Sequence, residues 1–233
     1  KKSQIVKCFN INPDYIIHCA ALVNADYCED HKDEAYDVIV KGTINLIELA
    51  KSCNAKILYP QSFLIYDGQE LPINEETLPN PLSIYGKFKL NAENLIKENS
   101  SDSLIIRMAG FFGGRGIDKN FVGKIISHIA NLINDGVTSL EIGDRVWQPT
   151  FTNDLAYNSL VLLANDQKGI YCMSSNGKAS FFELTSLIVK TLEISNIIKI
   201  KKVSAVEVSR NEKAKRPETA IIENARLISE NYD

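Results

Sequence analysis

Short apolar segments alternate with segments of helical periodicity along most of the chain, and this alternation constrains the fold more than any other feature. The run 15–20 is apolar and follows a turn at 12–14, and apolar residues then recur at helical spacing from about 33 to 52. Short strands that are apolar throughout and separated by helices are typical of a parallel sheet covered on both faces. The sequence therefore predicts an α/β protein with a doubly wound parallel sheet.

Later segments continue the pattern. Further strands are predicted at 55–59, 104–108, 139–142 and 169–173, and further helices at 83–98, 119–134, 153–165 and 180–192. Thr152 is expected to be the N-cap of the third of these helices, and Ser180 with Glu183 has the pattern of a capping box for the last. The elements become more mixed from about residue 149. We therefore expect a main domain at 1–148 and a small mixed C-terminal lobe at 149–233, with some return to the main sheet.

The composition is that of an ordinary globular protein and excludes several classes. Hydrophobic residues make up 45% and charged residues 24% of the 233 residues, which is enough apolar side chain to offset the entropy of ordering the chain. A net charge of −3 argues against a broad nucleic-acid-binding surface. No apolar run approaches the roughly 20 residues that span a bilayer, and the N-terminal segment lacks the features of a signal peptide.

The five cysteines are scattered through the chain without a Cys-x-x-Cys pair. Such a set argues against a disulfide framework and against a zinc site, so no metal is expected. We expect a cytoplasmic protein without a nucleic-acid or membrane partner.

The segment SIYGKFK at 83–89 carries the clearest chemical pattern. On a helix, Tyr85 and Lys89 lie one turn apart on the same face. An ammonium group near a phenol favours the phenolate, so Lys89 is expected to lower the pKa of Tyr85 from its usual value near 10. Such a tyrosine can exchange a proton with a carbonyl or alcohol oxygen. The same pattern also occurs in amphipathic helices with an exposed lysine, so the motif needs support from elsewhere in the chain.

That support comes from residues at the ends of the predicted strands. Ser62 lies 23 residues before Tyr85 and just after the strand at 55–59, where a parallel sheet presents its carboxyl edge to ligands. A hydroxyl there can donate a hydrogen bond to the same oxygen that Tyr85 protonates. Ala20 and Ala21 follow the first strand, and their small side chains allow a flat cofactor to approach the backbone.

Six runs of residues together resemble the extended short-chain dehydrogenase/reductase superfamily and, within it, the dTDP-4-dehydrorhamnose reductase family. They are HCAALVNADYCE, GTINLIELAK, QSFLIYDG, YGKFK, IIRMAGFFGGRG and KRPETAIIENARL. Three shorter features also fit that family: Asp67-Gly68, Gln148-Pro149-Thr150 and Arg216-Pro217. The resemblance covers nearly the whole chain in the right order, and it implies a Rossmann-like fold.

The resemblance also implies roles for individual residues. Ser62 would polarise the substrate carbonyl, Tyr85 would donate the proton, and Lys89 would lower the pKa of the tyrosine and hold the nicotinamide ribose. NAD or NADP would supply the hydride. Five residues would contact the dinucleotide: Ala20, Ala21 and Val23 after the first strand, together with Tyr85 and Lys89.

Substrate contacts are expected from Ser62, Gln148 and Arg216. The guanidinium of Arg216 can bind phosphate oxygens in a bidentate manner, or it can instead attach the C-terminal segment to the core. Trp147 can stack on a substrate ring or anchor the C-terminal lobe. His18, inside an apolar strand, is expected to be a hydrogen-bonded core residue rather than a ligand.

The sequence departs from the family at several points. No glycine-rich phosphate-binding turn precedes the first predicted strand, so we expect the chain to be a fragment or the ordered part of a longer protein. Phe63 and Leu64 stand where these reductases often have Asp and Tyr, which also disfavours a dehydratase, because dehydratases carry carboxylates there. Ile39 replaces an Asn that supports a proton relay, and Gly110 replaces a Trp that lies against the sugar.

The favoured function is therefore an NAD(P)H-dependent reductase of a nucleotide-linked 4-keto-6-deoxy sugar in cell-surface polysaccharide synthesis. One alternative is a non-catalytic regulatory relative, similar to the β subunit of methionine adenosyltransferase. Another is a nucleotide-sugar epimerase, which uses the same three side chains with retained NAD. The resemblance also allows a homodimer, and the sequence itself does not choose between NADH and NADPH.

Overall fold

A computed structural model describes residues 12–114, 118 and 120–232, and its centre is a four-stranded parallel sheet. In spatial order its strands are Tyr15–Ile17 (β1), Lys56–Ser62 (β2), Leu104–Met108 (β3) and Gly169–Met173 (β8). Ser62 pairs with Met108, which in turn pairs with Met173, so the strands end at one common edge.

Side chains alternate between the two faces of this sheet, and each face has its own apolar core. Ile57, Tyr59 and Ile105 pack with helices on one face. Leu58 and Ile106 pack with helices on the other face. The period of two along each strand therefore buries the sheet on both sides, which confirms the predicted α/β class.

Nine α-helices lie in the described part of the chain. Their bounds are Ala25–Asp30 (α1), Lys32–Tyr36 (α2), Gly42–Cys53 (α3), Ile84–Asn99 (α4), Phe121–Asn134 (α5), Thr152–Ala164 (α6), Phe181–Thr191 (α7), Ala205–Ser209 (α8) and Ala225–Ser229 (α9). Helix α1 was not predicted, and its start is capped by the Asn24 side chain, which accepts a hydrogen bond from the Tyr27 amide.

The single helix predicted at 33–52 is interrupted. A π-helical turn at Asp37–Lys41 separates α2 from α3. Inside this turn the Ile39 carbonyl accepts a hydrogen bond from the Thr43 hydroxyl at 2.6 Å. Such turns often mark functional sites and disturb the regular i to i−4 pattern of backbone bonds.

The remaining short strands form three two-stranded pairs. Strands β5 (Ser139–Gly143) and β10 (Lys199–Val203) pair in parallel, as do β4 (Phe111–Phe112) and β7 (Thr150–Phe151), whereas β6 (Val146–Trp147) and β9 (Ala179–Ser180) pair antiparallel. Ile129, Ile142 and Val189 belong to a separate core that joins α5 and α7 to the β5–β10 pair. The region beyond residue 149 is thus mixed, and its strand β8 belongs to the central sheet.

One of the two predicted helix caps is confirmed and the other is wrong. Ser180 and Glu183 form the predicted capping box, in which the Ser180 amide donates to the Glu183 carboxylate at 2.7 Å and the Glu183 amide donates to the Ser180 hydroxyl at 3.1 Å. The N-cap of α6 is Phe151 and not Thr152, which is the first helical residue. The Thr152 hydroxyl is buried without a hydrogen-bond partner.

Other features of the described residues concern membrane spans, cysteine pairing and metal binding. No helix there is long and apolar enough to cross a bilayer. The cysteines at 19, 28, 53 and 172 are free thiols. No cluster of His, Cys, Asp and Glu suited to a metal ion occurs among these residues.

Ile106 is fully buried in β3. Its replacement by Ala should lower the free energy of unfolding by roughly 2–5 kcal/mol, because a cavity is left where the sheet meets α6. Urea denaturation would measure this, with Leu187→Ala as the control, since Leu187 is 58% exposed. An equal loss in the two variants would contradict the placement of Ile106 in the core.

Candidate active site

Ser62 ends β2 at the carboxyl edge of the sheet, and its position is fixed by local hydrogen bonds. Its hydroxyl accepts from the Leu64 amide at 3.2 Å and so caps a 3₁₀ turn at Phe63–Ile65. Its own amide donates to the Gln61 side-chain oxygen at 2.8 Å. The hydroxyl is therefore held at the sheet edge, where parallel α/β proteins bind ligands.

Tyr85 is the second residue of α4, and the structure brings it to Ser62. The phenol is nearly fully buried and hydrogen-bonds to the Ser62 hydroxyl. Two side chains cap the start of this helix. The Ile84 amide donates to the Glu29 carboxylate at 2.7 Å, and the Gly86 amide donates to the Ser83 hydroxyl at 3.1 Å. Burial raises the pKa of Tyr85 to about 12, and the bond from Ser62 opposes part of that rise.

Gly86 allows this close approach of α4 to the turn after β2. A Cβ at residue 86 would lie 2.3 Å from the Leu64 carbonyl oxygen and 2.9 Å from the Pro81 Cβ. Both distances are shorter than side-chain contacts allow, and the first obstacle is backbone. The helix can therefore bring Tyr85 against Ser62 only because residue 86 has no side chain.

Lys89 lies one turn further along α4 and is buried against β2. Its ammonium donates to the Pro60 carbonyl at 2.8 Å and lies 3.9 Å from the centre of the Tyr59 ring. Burial lowers the pKa of Lys89 to about 7, and the nearby Glu93 carboxylate opposes this. The expected effect of Lys89 on Tyr85 is not seen: the pKa of Tyr85 is raised, because burial outweighs the Ser62 hydrogen bond and the ammonium is directed to a carbonyl instead.

A buried polar network, which the sequence pattern did not predict, lies next to Ser62, Tyr85 and Lys89. The side-chain nitrogen of Gln61 donates to the Lys89 backbone carbonyl at 3.0 Å and to the Glu93 carboxylate at 2.9 Å. Glu93 and Arg107, both buried, form an ion pair of 2.6 Å, and Arg107 also donates to the Tyr66 hydroxyl at 2.8 Å. The available signal was a charged residue inside the apolar strand LIIRM.

His18 follows β1 and is a hydrogen-bonded core residue, as predicted. Its Nε2 lies 2.8 Å from the Thr43 hydroxyl, whose proton is already donated to Ile39, so Nε2 must be the donor. Its Nδ1 is buried without a partner. Burial lowers the pKa of His18 to about 4, so the ring is neutral at physiological pH.

The residues expected to line a dinucleotide lie beside this site. Ala20 and Val23 are exposed after β1, and Val23 is 74% exposed, while Ala21 is partly buried against the core. β1 pairs with β2 in parallel, so these residues follow the same sheet edge that carries Ser62. Ala20, Ala21 and Val23 thus lie along the edge of the sheet that carries Ser62, and their contact with a dinucleotide stays a prediction.

The other two predicted substrate residues have structural partners. Both ends of the Gln148 amide bond to the Ile222 backbone, with the oxygen accepting at 2.5 Å and the nitrogen donating at 3.1 Å. Arg216 pairs with Asp26 at 2.6 Å and with Glu212 at 3.4 Å. Arg216 thus attaches the C-terminal segment to α1, and its role in binding substrate, like that of Gln148, stays a prediction.

The parallel sheet and the Ser, Tyr and Lys side chains at its carboxyl edge define an extended short-chain dehydrogenase/reductase. A family model described as the RmlD substrate binding domain matches residues 2–231. The chain therefore belongs to that family.

Three known proteins illustrate the relationship. A dTDP-4-dehydrorhamnose reductase from Clostridium acetobutylicum superposes with a TM-score of 0.88 at 30% identity, over 99% of this chain and 79% of that one. One from Bacillus anthracis, crystallised in complex with NADP, gives 0.88 at 26% identity with the same coverage. Methionine adenosyltransferase 2 subunit beta from Xenopus tropicalis is 29% identical over 186 residues, 76% of this chain. The chain spans about half, 54%, of that relative's length.

Gly86→Ala should reduce both stability and activity, because its Cβ would overlap the Leu64 carbonyl and push α4 away from the turn. We expect a loss of about 1–3 kcal/mol in the free energy of unfolding. Gly42→Ala is the matched control, since a Cβ there meets nothing closer than 3.9 Å. Urea denaturation checks the prediction, and equal stability of the two variants would show that close packing at Gly86 is not required.

Proposed function

We propose that this protein is an NAD(P)H-dependent reductase of a nucleotide-linked 4-keto-6-deoxy sugar in polysaccharide synthesis. The observation that carries the proposal is the hydroxyl pair formed by half-buried Ser62 and buried Tyr85 at the carboxyl edge of the sheet, with Lys89 one helical turn away. The similarity to dTDP-4-dehydrorhamnose reductases over 99% of the chain supports this class of substrate.

The hydroxyl pair suits the protonation of a ketone during its reduction. The carbonyl oxygen of the sugar would bind beside the hydrogen-bonded Ser62 and Tyr85 hydroxyls and accept a hydrogen bond from each of them. Because the pKa of Tyr85 is about 12 before ligands bind, the phenol carries its proton throughout the physiological range and can donate it. As the carbonyl carbon gains a hydride, its oxygen gains the proton of Tyr85, and Ser62 then stabilises the remaining phenolate.

The cofactor supplies the hydride, and several side chains fit it. The Lys89 ammonium, which donates to the Pro60 carbonyl in the ligand-free protein, would hold the ribose hydroxyls, and the exposed residues after β1, Ala20 and Val23, would pack against the cofactor. Phe63 and Leu64 carry no carboxylate, so the residues directly after Ser62 cannot promote elimination from the sugar. This supports a simple reduction.

A regulatory, non-catalytic role is the second candidate. The 29% identity to methionine adenosyltransferase 2 subunit beta over 76% of the chain favours it, as does the absence of the relay Asn at Ile39. Copurification with a synthetase subunit, without NADPH oxidation on any keto sugar, would support this alternative. The cytoplasmic location and the homodimer remain predictions, which subcellular fractionation and light scattering would test.

Tyr85→Phe should abolish most turnover, because it removes the proton donor and leaves the fold intact. We expect a fall in kcat of about 10²–10⁴-fold with little change in NADPH affinity. NADPH oxidation with a dTDP-4-keto-6-deoxy sugar measures turnover, and NADPH fluorescence measures binding. Retained turnover in this variant would overturn the proposed function.

The activity should fall as the pH rises through about 7. Lys89 has a lowered pKa of about 7, so its ammonium is present below that pH and lost above it. Loss of the ammonium removes the donor for the ribose, so kcat/KM for NADPH decreases on the alkaline side. A pH profile between 5.5 and 9 tests this, and a profile that stays flat would contradict the role of Lys89.

A further inference from the structure

Three polar side chains follow one another at intervals of four residues on the buried side of α4: Tyr85, Lys89 and Glu93. Residues at this spacing lie on one face of a helix, with about 5–6 Å between their Cβ atoms. Lys89 is 4% exposed and Glu93 is 0% exposed. Glu93 therefore places a negative charge one turn beyond Lys89, in surroundings that exclude water, where charges interact more strongly than at a surface.

Gln61 on β2 fixes the orientation of the Glu93 carboxylate relative to Lys89. Its side-chain nitrogen donates both to the Lys89 backbone carbonyl, at 3.0 Å, and to the Glu93 carboxylate, at 2.9 Å. Its side-chain oxygen accepts from the Ser62 amide at 2.8 Å. A movement of the carboxylate away from Lys89 would therefore break a bond to the same side chain that holds the backbone of Ser62.

Arg107 on β3 opposes the charge of Glu93. One terminal nitrogen lies 2.6 Å from the carboxylate, and the other donates to the Tyr66 hydroxyl at 2.8 Å and to the Glu75 carbonyl at 3.3 Å. The guanidinium is thus bound to Glu93 and to groups on its far side, and it acts on Lys89 through Glu93. It reduces the negative charge that Glu93 presents to the ammonium.

Four other ionisable side chains of the described residues face Lys89 from its own helix, from β2 and from the segment after β1: His18, Cys19, Tyr59 and Tyr85. Burial raises the pKa of both phenols, that of Tyr85 to about 12, and lowers the pKa of His18 to about 4. These three rings are therefore neutral between pH 5.5 and 9. Apart from the Cys19 thiol, the charges that act on Lys89 in the described part of the chain come from the Glu93–Arg107 pair.

We propose that Glu93 and Arg107 are positioning residues for the cofactor, which act by setting the charge of Lys89: Glu93 favours the ammonium form, and Arg107 limits this effect. The proposal rests on the proposed function, in which the ammonium holds the ribose. Burial lowers the pKa of Lys89 to about 7 while Glu93 opposes the decrease. Because this midpoint lies near physiological pH, a small change in the pair alters the charged fraction of Lys89 strongly.

The test measures the pH at which Lys89 loses its proton, in two ways. In the first, the full-length protein carries ¹³C at the lysine ε-carbons, and NMR follows the Lys89 signal without any ligand from pH 5.5 to 9. Lys89→Met assigns this signal by its absence. In the second, kcat/KM for NADPH is measured over the same range. Both measurements use a Cys19→Ser background, so that the thiol does not contribute to the titration.

Replacing the two partners should move the midpoint in opposite directions. Glu93→Gln should lower it by about 1 pH unit or more, because an opposite charge next to the ammonium is lost. Arg107→Gln should raise it, because Glu93 is left without its other cation. Asp166→Asn is the matched control, since it makes the same change in net charge at the amino end of β2, where Asp166 pairs with Lys56 at 2.6 Å. It should leave the midpoint unchanged.

A purely structural role of the pair would lower the amplitude of the activity in both variants without opposite shifts of the midpoint. Because breaking a buried ion pair can unfold a protein, the double variant with Glu93→Gln and Arg107→Gln is also measured, as it leaves neither charge unpaired. Its midpoint should lie below that of the wild type, since Glu93 is the member one turn from Lys89.

The outcomes separate this proposal from the proposed function. Midpoints that stay at the wild-type value, or that move the same way in both single variants, would overturn the role of the pair even if the wild type reduces the keto sugar. Opposite shifts in the NMR titration, together with a wild type that does not oxidise NADPH with the keto sugar, would overturn the reductase and leave the effect of the pair on Lys89 in place.

Discussion

The buried ion pair between Glu93 and Arg107 is the interaction on which the candidate site depends. Both side chains are almost completely removed from solvent, and the remaining polar atoms around them are bonded to Gln61 and Tyr66. A buried pair of this kind is costly to break, because the partner that remains is an uncompensated charge. The pair therefore holds α4, which carries Tyr85 and Lys89, against β3. The bond from Gln61 to Glu93 joins α4 to β2, which carries Ser62.

Burial also determines the protonation states of the site. The same removal of water that raises the pKa of Tyr85 lowers the pKa of Lys89, since it disfavours the charged form of each group. Before ligands bind, the phenol is neutral and the ammonium is held by the Pro60 carbonyl. The Tyr85 phenol therefore carries the proton that the proposed reduction requires.

Much of the fold and part of the site could be predicted from the sequence. The apolar strands and the longer helices follow from periodicity, and the chemical pattern of Ser62, Tyr85 and Lys89 follows from their spacing. Contacts between distant segments could not be predicted in the same way. The Gln148 side chain bonds to the Ile222 backbone, and this contact depends on the pairing of β6 with residues 179–180 and 218–220, which the sequence pattern does not show.

Burial, element length and strand position explain the other differences between the predictions and the structure. The pKa of Tyr85 depends on how deeply the phenol is buried, and the four-residue spacing between Tyr85 and Lys89 gives no information on burial. The cap of α6 was misplaced by one residue, and α1 was missed because its six residues are too short for a clear period. The ion pair between Glu93 and Arg107 could not be predicted, because it depends on how β3 is positioned against α4.

The fate of the transferred hydrogen is the most direct measure of whether this site reduces a ketone. The full-length protein is given NADPH with deuterium at the transferable C4 position and a dTDP-4-keto-6-deoxy sugar. We expect one deuterium at C4 of the product sugar by NMR, with one NADPH consumed for each product formed. Product without deuterium, or no product with NADPH left intact, would contradict a reductase.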